Sequence, residues 1–194
     1  MPIVDLAFAV LAAEPIPADH GYHLYGALSR VLPQLHQTNG IAVHPIRGQQ
    51  IGNRQLQLND RSRLVLRADS DQIGPLLALS GKQLDVAGHR LRVGVPQVWT
   101  LRPLPAVRSR LVTIKGFLDA EAFAAAARRQ LDTMSVSVEA QLTLGKRRTL
   151  RIKEKEVVGY EVLVEALTAE ESLTLQDRGL GGRRHMGCGV FVPI

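Results

Sequence analysis

Apolar residues fill positions 3–12, IVDLAFAVLA, with Asp5 the one charged interruption, and so short and dense a run predicts a buried β-strand. Beyond it the period lengthens. Leu24, Leu28, Val31, Leu32 and Leu35 recur along one helical stripe within PADHGYHLYGALSRVLPQLH, and Asp19 is placed to cap its start. Pro33 falls late in that pattern, where a ring without an N–H ends or kinks a helix, and Gly40 closes the connection. The same reading places strands near 51–58 and 63–68, a short helix over 70–81 and a strand over 89–95. The order is βαββαβ.

That order then repeats. LRPLPAV, 101–107, has two prolines and little periodicity and reads as a linker. A strand is expected over 110–117, RLVTIKGF, and an alanine-rich helix over DAEAFAAAARRQLDTM. VSVEAQLTL and RTLRIKEKEVVGYEVLVEAL supply one or more long strands. In TAEESLTLQDRG, Thr168 and Glu171 stand at capping-box spacing before a second helix, and a last strand is expected over 187–193. The expected class is α+β: tandem ferredoxin-like (RRM-like) βαββαβ domains, 1–100 and 108–194, with a C-terminal glycine-rich loop over 179–189. Because this architecture hosts many activities, function has to come from elsewhere.

Composition narrows the classes. With 45% hydrophobic residues, the 194-residue chain can bury a proper core, but at 4% aromatic content an extended base-stacking platform is not expected. The net charge of +6 and a pI near 10.0 favour an anionic partner. One cysteine, Cys188, excludes an intramolecular disulfide and a cysteine-based zinc site. The N-terminal apolar run lacks the basic flank of a signal peptide, and no stretch reaches membrane-span length, so a soluble cytoplasmic protein is expected.

Charge and glycine concentrate together near the C-terminus, in GLGGRRHMGCG, 179–189. Glycine tolerates positive φ and close backbone approach, so this stretch reads as a loop offering backbone N–H groups and cations to phosphate. Gly181, Gly182, Arg183, Arg184 and His185 are its candidate RNA contacts. A second basic stretch, LGKRRTLRIKEK, reads as a hairpin with Lys146, Arg147 and Arg148 at its tip. Arg151, Lys153 and Lys155 would then alternate along one strand face, which Glu154 and Glu156 equally allow to be ordinary solvated surface. Arg108, Arg110 and Lys115 form a weaker third group, while Arg128 and Arg129 read as solvating their helix.

The loop has the form Gly-x-Gly, five residues, Gly-x-Gly, and follows the last helix of the second half. In this it resembles the glycine-rich loop of the CRISPR repeat-processing endoribonucleases, the sixth Cas protein family. The resemblance extends to IPADHGYHLYGALSRVLPQLH and VGYEVLVEALTAEESL and is strongest to the compact Myxococcus-type subgroup. It implies cofactor-free, metal-independent cleavage of CRISPR precursor RNA at a repeat stem-loop, leaving a 2′,3′-cyclic phosphate and a 5′-hydroxyl. It also leaves room for other Cas proteins as partners in an interference complex, and for no membrane.

Such chemistry needs a base for the 2′-hydroxyl, an acid for the leaving 5′-oxygen and charge stabilisation, and histidine titrates in the right range. Four of the six histidines lie between 20 and 44. His36 matches the family's histidine after the first helix. Tyr22 matches a tyrosine that another branch places in the helix's first turn, Tyr25 stands where that branch has histidine, and Ser29 is nearest to a third branch's mid-helix histidine. His20, expected to be exposed beside the helix start, competes with His36, its bland role being to brace a loop. His23 reads as solvated, and His44, before Pro45, as structural. The rival reading is a non-catalytic module that holds the repeat and leaves cutting to another enzyme. No acidic cluster suggests a metal hydrolase, and no Gly-x-Ser-x-Gly elbow suggests a serine hydrolase.

Overall fold

The computed structural model describes residues 1–36 and 40–194, with His36 described in its backbone only. The chain divides into two compact units, Met1–Thr100 and Leu101–Ile194.

In the first unit, β1 (Ile3–Ala12) lies at the centre of a five-stranded antiparallel sheet. The other strands of that sheet are β3 (Ala42–Val43), β6 (Arg63–Asp69), β7 (Gln83–Val86) and β8 (His89–Thr100), in the order β3-β6-β1-β8-β7, so that β1 pairs with β6 and β8. Without its edge hairpin strand β7, this is the strand order of a ferredoxin-like βαββαβ unit. Helix α1 (Gly21–Val31) turns Leu24, Ala27 and Leu28 into the core, against Leu6, Phe8, Leu64 and Leu66. It stops two residues before Pro33, which opens a single 3-10 turn, Pro33–His36.

Three expectations change here. The second strand of the fold is the two-residue β3, whereas 49–57 splits into β4 (Gln49–Gln50) and β5 (Gln55–Gln57). These form a separate small sheet with β2 (Ile16–Pro17). Four glutamines flank the buried Leu56, so that segment has too little apolar surface to enter the main sheet. The expected helix over 70–81 is broken into short 3-10 and α turns between Ser70 and Leu79, including α2 (Ile73–Leu76), with Gly74 and Pro75 inside it. Strand β7 is an addition, hairpinned to β8 through Ala87 and Gly88, both at positive φ.

Asp5 is neither exposed nor idle. It sits opposite Arg67 in the β1–β6 register and accepts two hydrogen bonds from that guanidinium, at 2.8 and 2.9 Å. Arg67 is 1% exposed, and His44 Nε2 lies 3.4 Å from the same carboxylate. Burial opposes the charge on Asp5, but the nearby His44 ring and the hydrogen-bonded, positively charged Arg67 guanidinium hold its carboxyl well below the usual carboxylate range. Burial pushes the His44 imidazole down, against the pull of Asp5.

The second unit repeats the topology more cleanly. β9 (Val107–Val112), α3 (Ala120–Thr133), β10 (Gln141–Ile152), β11 (Lys155–Glu165), α4 (Ala169–Arg178) and β12 (Val192–Pro193) make a sheet ordered β10-β11-β9-β12, with Phe123, Val162 and Leu175 in the core. The Asp119 carboxylate caps α3 by accepting from the Glu121 and Ala122 N–H groups. Thr168 and Glu171 cap α4 reciprocally, as a capping box does.

Residues 101–107 do not behave as a loose linker. Gln176 on α4 donates to the Arg102 carbonyl at 2.7 Å, Ser172 donates to the Leu104 carbonyl at 2.6 Å, and Val107 already belongs to β9. Prolines removed periodicity from this stretch, but two buried polar side chains strap it to its own unit. The last strand is likewise shorter than 187–193, because residues 187–191 are taken up by the glycine-rich loop and its packing.

Candidate nucleic-acid interface

Of the side chains expected to carry chemistry, Tyr22 and Tyr25 lie half-buried on α1, three residues apart and therefore on neighbouring faces. Tyr25 packs on the core, while Tyr22 meets the exposed His23 edge-on, with ring centroids 5.6 Å apart. His36 ends the 3-10 turn after α1, and its side chain lies outside the described residues. The expected exposure of His20 is corrected: it is 1% exposed. Its Nδ1 donates to the Pro17 carbonyl at 2.9 Å and its Nε2 accepts from the Ile46 N–H at 3.0 Å, an arrangement that fits one neutral tautomer. Both ring nitrogens of His20 are thus bonded to backbone groups on either side of the approach to α1.

The glycine-rich loop also differs from its expected form. Its backbone N–H groups are largely used within the protein. Gly181 donates to Gln130 Oε1 at 2.7 Å, Gly182 to the Thr113 carbonyl at 3.0 Å and Gly189 to the Leu111 carbonyl at 2.7 Å. Met186, Gly187 and Cys188 donate to carbonyls at 183 and 184. The glycines are there for close backbone packing. Gly179, Gly181 and Gly189 are all at positive φ, and a Cβ on each would collide with the carbonyl oxygens of Gly189, Thr113 and Leu180 in turn. Gly182 has open space around it. Gly189→Ala is therefore expected to lower stability by about 2–5 kcal/mol, from left-handed strain plus overpacking, while Gly182→Ala stays within about 1 kcal/mol. Thermal melts of the two variants check this, and equal melting points would refute the packing role.

The loop's basic side chains, Arg183, Arg184 and His185, are all half-buried. Arg183, itself in the left-handed region, reaches Thr113 Oγ1 at 3.4 Å and keeps further donors free. Arg184 is half-buried and donates to the Asp177 carbonyl, which makes it part of the loop's own scaffold. His185 is half-buried and engaged within the protein.

In the second basic stretch the hairpin tip is Lys153–Glu154, between Ile152 and Lys155, and not 146–148. Lys146 to Arg148 sit mid-strand on β10, beside a register irregularity between Leu144 and Arg147. With Arg147 opposite Tyr160 and Arg151 opposite Glu156, residues 147, 149 and 151 share one face and Arg148 points to the other. Lys153 stands at positive φ in the turn, so the expected single-faced strip does not form.

Pairing separates these cations further. Arg148 and Arg108 both reach Glu161, at 3.2 and 3.5 Å, and Arg151 reaches Glu154 at 3.3 Å. Arg128, expected only to solvate its helix, binds Asp132 and the carbonyls of Val136 and Ala140. Lys115, Arg129, Lys146, Arg147 and Arg183 have no acidic partner among the described residues. Cations left without an internal anion are the ones a polyanion neutralises most cheaply. Sequence gives no sign of this division, since it depends on which carboxylate folds beside which guanidinium. Among the described residues no three His, Cys, Asp or Glu side chains converge as a metal site would require, and no helix is long and apolar enough to cross a membrane.

Residues 4–194 match the model of the Cas6 CRISPR protein family. The chain is 44% identical over all 194 residues to a CRISPR-associated endonuclease Cas6 of Myxococcus xanthus (strain DK1622), covering 82% of that protein. A solved CRISPR-associated Cas6 protein superposes with a TM-score of 0.69 at 12% identity, over 99% of this chain and 98% of that one. Thermus thermophilus Cse3, solved bound to an RNA representing a pre-cleavage complex, gives 0.56 at 16% identity, over 98% of each chain. At such identities these two likenesses speak to the fold.

Proposed function

The chain belongs to the Cas6 family, and from that membership we propose that it is the endoribonuclease that cuts CRISPR precursor RNA within the repeat by metal-independent transesterification. The observation that carries this reading is the 44% identity along the whole chain to a curated CRISPR-associated endonuclease. The unpaired cations of β10 and the glycine-rich loop support it, because they offer phosphate contacts without demanding a particular base.

In this reaction the 2′-hydroxyl beside the scissile phosphate loses its proton and attacks phosphorus. The P–O5′ bond breaks, and the 5′-oxygen takes up a proton as it leaves. One product ends in a 2′,3′-cyclic phosphate and the other begins with a 5′-hydroxyl. His36 is assigned one of the two proton transfers, and Tyr22 or Tyr25 the orientation of the 2′-hydroxyl. His20 is assigned to holding the start of α1, because both of its ring nitrogens are already bonded. Lys146, Arg147 and Arg183 supply phosphate contacts, and Arg148, Arg151 and Arg184 stiffen the elements that carry them.

Incubation with the host's repeat RNA in excess chelator tests the proposal. Cleavage that persists and yields a cyclic phosphate and a 5′-hydroxyl is the expected result. A requirement for added divalent metal, or a 5′-phosphate on the downstream product, would overturn the chemistry. Tight binding without cutting would instead favour the non-catalytic module.

A further inference from the structure

Gly181 and Gly182 are anchored by two elements outside their loop. Gln130 on α3 accepts the Gly181 N–H, and Thr113, just past β9, accepts the Gly182 N–H with its carbonyl. The Thr113 hydroxyl lies 3.3 Å from the Gly182 carbonyl and 3.4 Å from Arg183 Nη1. Each anchor is close in sequence to an exposed cation. Arg129 precedes Gln130, and Lys115 stands two residues beyond Thr113. Lys115 and Arg129 therefore stand within two residues of the groups that anchor Gly182 and Gly181, and Arg183 follows those glycines directly. None of the three has an acidic partner among the described residues.

Arg129 is also held in a defined place. Its guanidinium lies over the Phe117 ring, 5.6 Å from the centroid. Stacking of this kind covers a face of the guanidinium and leaves the N–H donors around its edge free, the geometry in which arginine grips phosphate. Its neighbour Arg128 shows the contrast, with its donors spent on Asp132 and two carbonyls.

We propose that Arg129, preset on Phe117, binds backbone phosphate of the RNA beside the glycine-rich loop, together with Lys115 and Arg183. The inference rests on the RNA-binding reading above and adds α3 to the surface that carries it.

Equilibrium binding of repeat RNA to wild type, Arg129→Ala and Arg129→Gln is measured across a salt series. Both variants are expected to bind about 3–10-fold more weakly at low salt, with the slope of log affinity against log salt reduced by about one and an unchanged melting point. Phe117→Leu keeps the charge but frees it, and is expected to weaken binding less while retaining the wild-type salt slope. Wild-type affinity and slope in both Arg129 variants would overturn the inference while leaving the RNA-binding reading intact. Failure of wild-type protein to bind repeat RNA at all would overturn the reading and the inference together.

Discussion

His36→Ala is expected to slow repeat cleavage by about 10²–10⁴-fold while repeat affinity stays within about twofold of wild type. The rate figure is what a positioned proton donor or acceptor contributes to a transition state in which a proton must move. Affinity should survive because the unpaired cations lie elsewhere, on Lys146, Arg147, Arg183 and their neighbours, and one imidazole adds little to a polyelectrolyte contact. Single-turnover cleavage with protein in excess over RNA separates the two quantities. His20→Ala belongs in the same experiment. With both ring nitrogens bonded inside the first unit, it should lower the melting point and affect cutting only as far as folding is lost. A His20→Ala protein that melts normally yet fails to cut, beside a fully active His36→Ala, would transfer the proton-transfer role to His20.

The largest effect on stability is expected at Asp5. Asp5→Ala leaves the Arg67 charge buried with its principal partner gone, and such a loss typically costs about 3–5 kcal/mol. For a unit of this size that corresponds to a fall in melting point on the order of 12 °C or more. Replacing both partners with leucine should recover most of it, because an apolar pair carries no desolvation penalty. An Asp5→Ala protein that melts within a degree or two of wild type would show that the pair is not holding the sheet.

The same cluster sets the acid limit. His44 takes up a proton less readily in the folded state than its ordinary value of 6.5, so the unfolded chain gains protons first and stability begins to fall as pH drops below that value. Asp5 is depressed below its ordinary value of 3.8, so its contribution is complete above that pH and is lost only on further acidification. Unfolding followed from pH 7 down through and well below 3.8 should show the first loss removed by replacing His44 and the second by replacing Asp5.

The pairings in question could not be read along the chain. Asp5 looks like a stray charge in an apolar strand, and Arg67 lies sixty-two positions away; only the β1–β6 register puts them face to face. The glycines misled in a different way. Their density correctly indicated tight backbone geometry, but glycine meets phosphate and packs against a carbonyl for the same reason, the missing Cβ. Which partner it has depends on what folds alongside, here Thr113 and Leu180.

What the sequence determined by itself is the set of properties that arise from near neighbours. A dense apolar run marked β1, helical spacing of leucines marked α1, alanine content marked α3, a proline ended α1, a capping box opened α4, and a βαββαβ order appeared twice. These depend on contacts within a few residues, which a linear pattern records. Tertiary structure alone decided which cations meet a carboxylate, that His20 is buried with both ring nitrogens bonded, and that residues 101–107 are strapped to α4. Each of those depends on hydrogen bonds and charges brought together from distant positions, and burial makes them strong by excluding the water that would otherwise compete.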